Sequence, residues 1–215
     1  MRVAVITGAG RGLGRALAVT LARRGWTVVV TARDADALAH LAATEPGVVA
    51  VPGDLRDPRH AERLAAVVGE VGGAALLIHN AATLGPTPLP HVLDLTPEEL
   101  QDVLDVNVVG ALRMIRAVVG GMVLRGRGVV VQVSSDAADG GWPGWGAYGA
   151  SKAAAALLVR TLGEELAGTG VVVRVHDPGE MDTAMHAAAL PDADRASLSS
   201  PEQAAHTLLA ALGIA

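Results

Sequence analysis

The feature that most constrains this chain is an alternation. Short runs rich in Val, Ile and Thr recur at Val3 to Thr7, Thr27 to Thr31, Val48 to Val51, Ala75 to His79, Val129 to Val133 and Val171 to His176. Each is short for a helix and too continuously apolar for a strand with one wet face, so each reads as a strand buried on both sides. Between them lie longer Ala- and Leu-rich stretches of helical period: Gly12 to Arg24, Asp34 to Thr44, Pro58 to Val71, Thr96 to Leu124 and Ala147 to Ala167. Strands separated by helices run parallel, and right-handed crossovers then lay helices over both faces. The predicted class is α/β, a doubly wound parallel sheet of six or seven strands within a single domain, 1–215. Ligands of such sheets bind beyond the carboxyl ends of the strands, so the residues just after each strand are the candidates for function. Leu190 to Ser200 is polar and proline-punctuated, and Pro201-Glu202 reads as the start of a last short helix.

Composition removes several function classes. No uninterrupted apolar run reaches the ~18 residues of a membrane span, so no membrane association is expected. Cysteine is absent, which excludes disulfides and thiolate chemistry. The seven histidines are scattered, none at a zinc-like spacing, so they read as surface or packing residues and no metal is expected. A net charge of −5, the lack of any basic run and an aromatic content of 2% offer nucleic acid no docking surface. The opening Met1 to Ile6 reads as a strand and not as a secretory leader, so the expected compartment is the cytoplasm. Small molecules remain as ligands.

After the first strand comes Thr7-Gly8-Ala9-Gly10-Arg11-Gly12-Leu13-Gly14. A glycine-rich turn between strand and helix lets backbone amides approach a pyrophosphate at the positive end of the helix, as in a Rossmann-type sheet. Taken alone it is also a tight strand-to-helix turn. The spacing, three residues between Gly8 and Gly12 and one between Gly12 and Gly14, resembles the fingerprint of the short-chain dehydrogenases/reductases. The second strand ends at Thr31-Ala32-Arg33-Asp34, with no acid at Thr31 or Ala32 to repel a 2′-phosphate. Arg33 and Arg11 can pair with that phosphate, which favours NADP over NAD, although both also read as solvated surface arginines. Asp34 reads as the N-cap of the next helix. Gly53-Asp54-Leu55 resembles the family's adenine-binding segment, and His79-Asn80-Ala81-Ala82 its Asn-Ala-Gly segment beside the cofactor, with Ala82 in place of Gly. A positive φ at Ala82 would add a cost of about 1 kcal/mol.

The most specific signal is Tyr148-Gly149-Ala150-Ser151-Lys152. Residues four apart share a helical face, which puts the chain's only phenol beside an ammonium. Such a neighbour, with a nicotinamide cation, is expected to lower the phenol from its usual value near 10 and make Tyr148 an acid/base. Ser135 ends the fifth strand thirteen residues earlier, the family's spacing, and its hydroxyl can steady a substrate oxygen as charge develops. Asn107 resembles the fourth member of the family's catalytic set, where a helix distortion and a water link Lys152 to solvent. In Asp177-Pro178-Gly179-Glu180-Met181-Asp182-Thr183, Pro178, Gly179 and Met181 match the family's segment around the cofactor, and Thr183 its carboxamide-binding threonine. Asp177 and Glu180 face solvent or substrate.

The resemblance runs from Arg2 to about Thr183. It implies an NAD(P)-dependent oxidoreductase that passes hydride between the nicotinamide and a carbonyl or alcohol carbon of a small molecule. Classical members continue into a seventh strand, so an expected homodimer forms instead through Thr96 to Leu124 and Ala147 to Ala167. Two rivals stand beside this: a non-catalytic dinucleotide sensor on the same fold, and an epimerase or dehydratase of the extended family, for whose substrate domain the chain has no room. Trp142 and Trp145, in the loop before Tyr148, read as packing residues or pocket lining.

Overall fold

A computed structural model describes residues 2–214. The elements alternate as β1 (Val3–Thr7), α1 (Gly12–Arg23), β2 (Thr27–Thr31), α2 (Ala35–Thr44), β3 (Val48–Ala50), α3 (Pro58–Glu70) and β4 (Leu76–His79). They continue as α4 (Pro97–Leu104), a π turn (Asp105–Val109), α5 (Gly110–Leu124), β5 (Gly128–Val133), α6 (Gly146–Glu165), β6 (Val171–His176), α7 (Ala184–Ala189) and α8 (Pro201–Ala211). All six strands pair in parallel in the order β3-β2-β1-β4-β5-β6, so the chain order reverses between β1 and β4. That reversal opens the crevice in which the glycine-rich turn sits.

Two apolar cores, one on each face, clamp the sheet. On one side Ile6, Val30, Ile78 and Val131 pack under Leu17 and Leu21 of α1, Leu38 and Leu41 of α2, and Leu208 of α8. On the other, Val5, Val29, Leu77 and Val130 pack under Leu64 of α3, Met114 and Val118 of α5, and Val159 of α6. Burial on both faces is what wrote the near-continuous Val/Ile runs into the strands.

The predicted helix at Thr96 to Leu124 is broken by the π turn at Asp105–Val109. Gly110 follows the break directly, and a helix distortion at Asn107 is what the resemblance implies; the hydrogen bonds of Asn107, described below, hold it. From Pro97 to Leu124 this element is long and apolar enough to cross a membrane by length and composition alone. Its apolar residues instead pack on β4, α3 and α6, and Asn107 is buried within it.

Candidate active site

Gly8, Gly10, Arg11, Gly12, Leu13 and Gly14 form the turn from β1 into α1. A side chain at Gly14 would place its Cβ 2.4 Å from the Gly8 carbonyl oxygen, so helix and strand approach this closely only without one. Gly12 takes φ +53°, the left-handed region that glycine enters at least cost. Leu13 is buried and anchors the turn, whereas Arg11 is exposed. No side chain caps α1 and no acid stands in its first turn, whereas α2, α3 and α4 are capped by Asp34, Asp57 and Thr96. Bare amides at the positive end of a twelve-residue helix, reached over a glycine-rich turn, fit the pyrophosphate of a dinucleotide.

The next strand ends complete this rim. Asn80 donates from Nδ2 to the carbonyls of Thr7 (3.0 Å) and Gly8 (3.3 Å), and the amides of Asn80 and Ala81 donate to Thr7 Oγ1, which ties β4 to the glycine turn. Thr183 caps α7 through the His186 amide and stands over Gly12, where an added Cβ would meet its methyl at 3.4 Å. Pro178 and Gly179 turn the chain towards that cap, with the Gly179 amide donating to Asp177 Oδ1 at 2.9 Å. Met181 pairs with Ser199 and packs on the α1-side core. Asp34 accepts from the Ala37 amide, leaving exposed Arg33 as the charged side chain at the end of β2. Asp54 is held by Arg56 at 2.7 Å, and that hydrogen bond, with Arg33's charge adding, keeps its carboxyl below the usual range. Leu55 is buried beneath Gly110 of α5. Ala82 has no positive φ, as holds for every non-glycine residue described, so its methyl carries no backbone cost.

The catalytic candidates meet where β5 ends. Ser135 follows the strand, accepts from the Ala137 amide (3.2 Å) and donates to Asp136 Oδ1 (2.9 Å). Tyr148 and Lys152 lie on α6, both buried, with Nζ 5.5 Å from the centroid of the phenol ring. Nζ donates to the Val133 carbonyl at 2.9 Å. Asn107, in the π turn, exchanges hydrogen bonds with the backbone of Thr83 (2.8 and 2.9 Å) and donates to Ser151 Oγ at 2.8 Å. Ser151 passes the link on to the Tyr148 carbonyl at 2.7 Å. Leu84, Ala137, Leu89, Trp145 and Met185 pack around Tyr148.

The short chain dehydrogenase family model matches residues 2–194. The chain belongs to the short-chain dehydrogenases. A 1-deoxy-11-beta-hydroxypentalenate dehydrogenase of Streptomyces exfoliatus is 38% identical over 190 residues, 86% of this dehydrogenase and 69% of the relative. An uncharacterized oxidoreductase of Staphylococcus aureus is 31% identical over 213 residues, 98% of this chain and 90% of the relative. An alcohol dehydrogenase of the archaeon Thermococcus sibiricus, solved with 5-hydroxy-NADP, superposes with a TM-score of 0.88 at 29% identity, covering 100% of this chain and 92% of that one. Membership makes this protein an oxidoreductase of the CH–OH/C=O class whose family uses NAD(P).

Within this dehydrogenase the electrostatics of the phenol differ from the expectation. Tyr148 is pushed up to about 12, not lowered: burial is the main cause, Asp177 and Asp136 add to it, and the polar Ser135 side chain opposes it. A shared helical face put phenol and ammonium together, but Nζ bonds to Val133 and burial outweighs it. Burial in turn lowers Lys152 to about 8, with Asp177 pulling the other way. Asp177 and Glu180 are both exposed. Of the two indoles, Trp145 packs edge-on against Tyr148 at 5.6 Å and Trp142 is exposed.

Three features escaped the sequence argument. Ser151 links the π turn to Tyr148, and nothing in its position inside the Tyr-Lys motif marks it out. Arg56 engages Asp54, a pairing that the Asp54-Leu55-Arg56 run leaves readable. Composition held the third: Lys152 is the only lysine in the chain, and every other side chain among the seventeen Lys and Arg is an arginine.

Proposed function

We propose that this dehydrogenase works with NADP(H) on a carbonyl or alcohol of a small molecule, with Tyr148 as the proton donor and acceptor. The meeting of Tyr148, Ser135 and Lys152 beside the crevice of the uncapped α1 turn carries this proposal. When bound, the nicotinamide supplies the hydride that adds to the carbonyl carbon, or takes it back in the reverse direction. In reduction the carbonyl π pair moves to oxygen, which takes the phenolic proton of Tyr148. A phenol held near 12 is fully protonated at neutral pH and ready for this step. The Ser135 hydroxyl donates to the same oxygen as charge builds there, which requires it to turn from Asp136. Lys152, still mostly cationic at neutral pH, stabilises the phenolate left behind. The apolar side chains of Leu84, Leu89, Trp145 and Met185 favour a substrate with an apolar flank.

Preference for NADP is supported by Arg33 and Arg11, exposed near the end of β2 and on the glycine turn, where a 2′-phosphate would otherwise be unpaired. The expected dimer through α5 and α6 is supported by Leu112, Leu124 and Leu157, large apolar side chains exposed on those helices. Tyr148→Phe tests the chemistry: NADPH binding stays within about threefold, whereas turnover of a carbonyl panel falls at least about a hundredfold. Turnover near that of the unaltered protein would remove Tyr148 from the role.

A further inference from the structure

Beneath Lys152 the carboxyl edge of the sheet is unexpectedly polar. His79, the last residue of β4, and Gln132 of β5 are register partners, both almost fully buried on the face covered by α5 and α6. Gln132 Nε2 donates at 3.0 Å to the Val133 carbonyl, the same oxygen that accepts from Lys152 Nζ. Gln132 Oε1 and both ring nitrogens of His79 have no hydrogen-bond partner. Buried polar atoms without partners are costly, so a cluster of three in one place points to a shared task. Lys152 has three N–H donors and one acceptor among the described residues, Val133 O. A neutral imidazole has one N–H and one lone pair, and can give the first to Gln132 Oε1 and offer the second to the ammonium.

We propose that His79 is a positioning residue for Lys152: its neutral ring, braced by Gln132, completes the buried acceptor set that keeps the ammonium charged below Tyr148. This rests on Lys152 serving the proton-transfer set described above. The charged and titratable neighbours agree with the assignment. Burial and the nearby Lys152 charge drive His79 down to about 3, so the ring is neutral throughout the working range. Asp177, in the loop after β6, is the carboxylate that favours the charged form of Lys152. His176 is the register partner of Val133, whose side chain packs on the α1-side core, so His176 faces away from this cluster.

Because Lys152 is the only lysine, protein labelled with ¹³C at lysine Cε gives one side-chain signal whose pH titration reports this amine directly. In the unaltered protein the midpoint is expected near 8. His79→Leu removes the acceptor and leaves no room for bulk water, so the midpoint should fall by about one unit, a roughly tenfold stronger acid. His79→Asn keeps an acceptor and a donor and should hold the midpoint within about 0.3 units. Where turnover is measurable, the alkaline limb of kcat should move with the midpoint. An unchanged midpoint in folded His79→Leu overturns the proposal, as does an equal fall in both variants, which would mean packing alone. Should His79→Leu not fold, Gln132→Leu takes its place: loss of the brace lowers the midpoint in the same direction, and no movement overturns the assignment. The titration needs no substrate, so absence of turnover in every variant would count against the proposed activity while the amine still decides this inference.

Discussion

The two ends of the carboxyl rim handle charge in opposite ways. Where β1, β2 and β3 end, recognition is built from backbone and exposed side chains: bare amides at α1, exposed Arg11 and Arg33, and an Asp54–Arg56 pair in contact with water. Where β4 and β5 end, the chemistry is built from buried groups: Tyr148, Lys152, Asn107, His79 and Gln132 are all nearly closed to solvent. Exposed charges keep their hydration and cost the fold little. Buried ones must be held by partners, and where partners are few their acidity shifts, which is what catalysis needs and stability opposes. The binding end therefore fails by geometry and the catalytic end by chemistry.

Lys152→Met breaks the contrast most sharply. Lys152 has a folded value of about 8 against an ordinary 10.5, so between those values the unfolded chain binds more protons and stability rises with pH. Below 8 the folded protein carries the full cost of the buried charge, about 3 kcal/mol at 1.4 kcal/mol per unit. Methionine has similar length and no charge, and the Val133 carbonyl keeps Gln132 as its donor. The variant should melt about 6–12 °C higher at pH 7, with the gain fading as pH rises from 8 towards 10.5. Turnover should fall by a factor of about 100 or more. A lower melting temperature at pH 7 would show that the ammonium is better satisfied than its surroundings indicate.

Gly14→Ala tests the other end. The new methyl would meet the Gly8 carbonyl at 2.4 Å and Asn80 Nδ2 at 2.6 Å, and the Asn80 amide is what ties β4 to the turn. Overpacking with a weakened hydrogen bond costs roughly 2 kcal/mol, measured as a shift in denaturant midpoint. Dinucleotide affinity should fall with it, because the amides of α1 move. A variant with unaltered stability and binding would mean that α1 does not sit as close to β1 as this geometry requires.

The same contrast explains what could be seen in the chain before its fold. Strands, helices and the glycine turn are local: apolar runs, helical period and spacing state them directly, and their ends shifted by a residue or two, as at Val51 and Ala75. The pairing of Tyr148 with Lys152 was legible for the same reason, one helical turn. Burial is not local. The upward push on Tyr148, the opposite of the expected direction, comes from side chains such as Leu84 and Ala137 that pack on it from other segments. The resemblance implied a helix distortion at Asn107, but its cause is not local: Asn107 reaches Thr83, 24 residues away in sequence, to satisfy a backbone amide and carbonyl. His79 sat at the end of an apolar run and read as one more scattered histidine, because only the register with Gln132 and the cover of α6 make it a neighbour of Lys152.

Arg33→Ala carries the smallest effect on the fold and the most selective one on binding. The side chain is exposed at the end of β2, so its loss should change stability by no more than about 0.5 kcal/mol. If Arg33 pairs with a 2′-phosphate, the variant loses a charge-assisted hydrogen bond, about 1.5 kcal/mol or roughly tenfold in NADPH affinity, and leaves NADH unchanged. A ligand that binds only the folded state raises the melting temperature, so both cofactors can be read in one thermal-shift series. In the unaltered protein NADPH should give the larger shift, and in Arg33→Ala the two should converge. An NADH shift equal to or larger than that of NADPH before any substitution would assign Arg33 and Arg11 to the solvated surface. The binding end would then rest on the α1 amides and the Asp54 carboxylate.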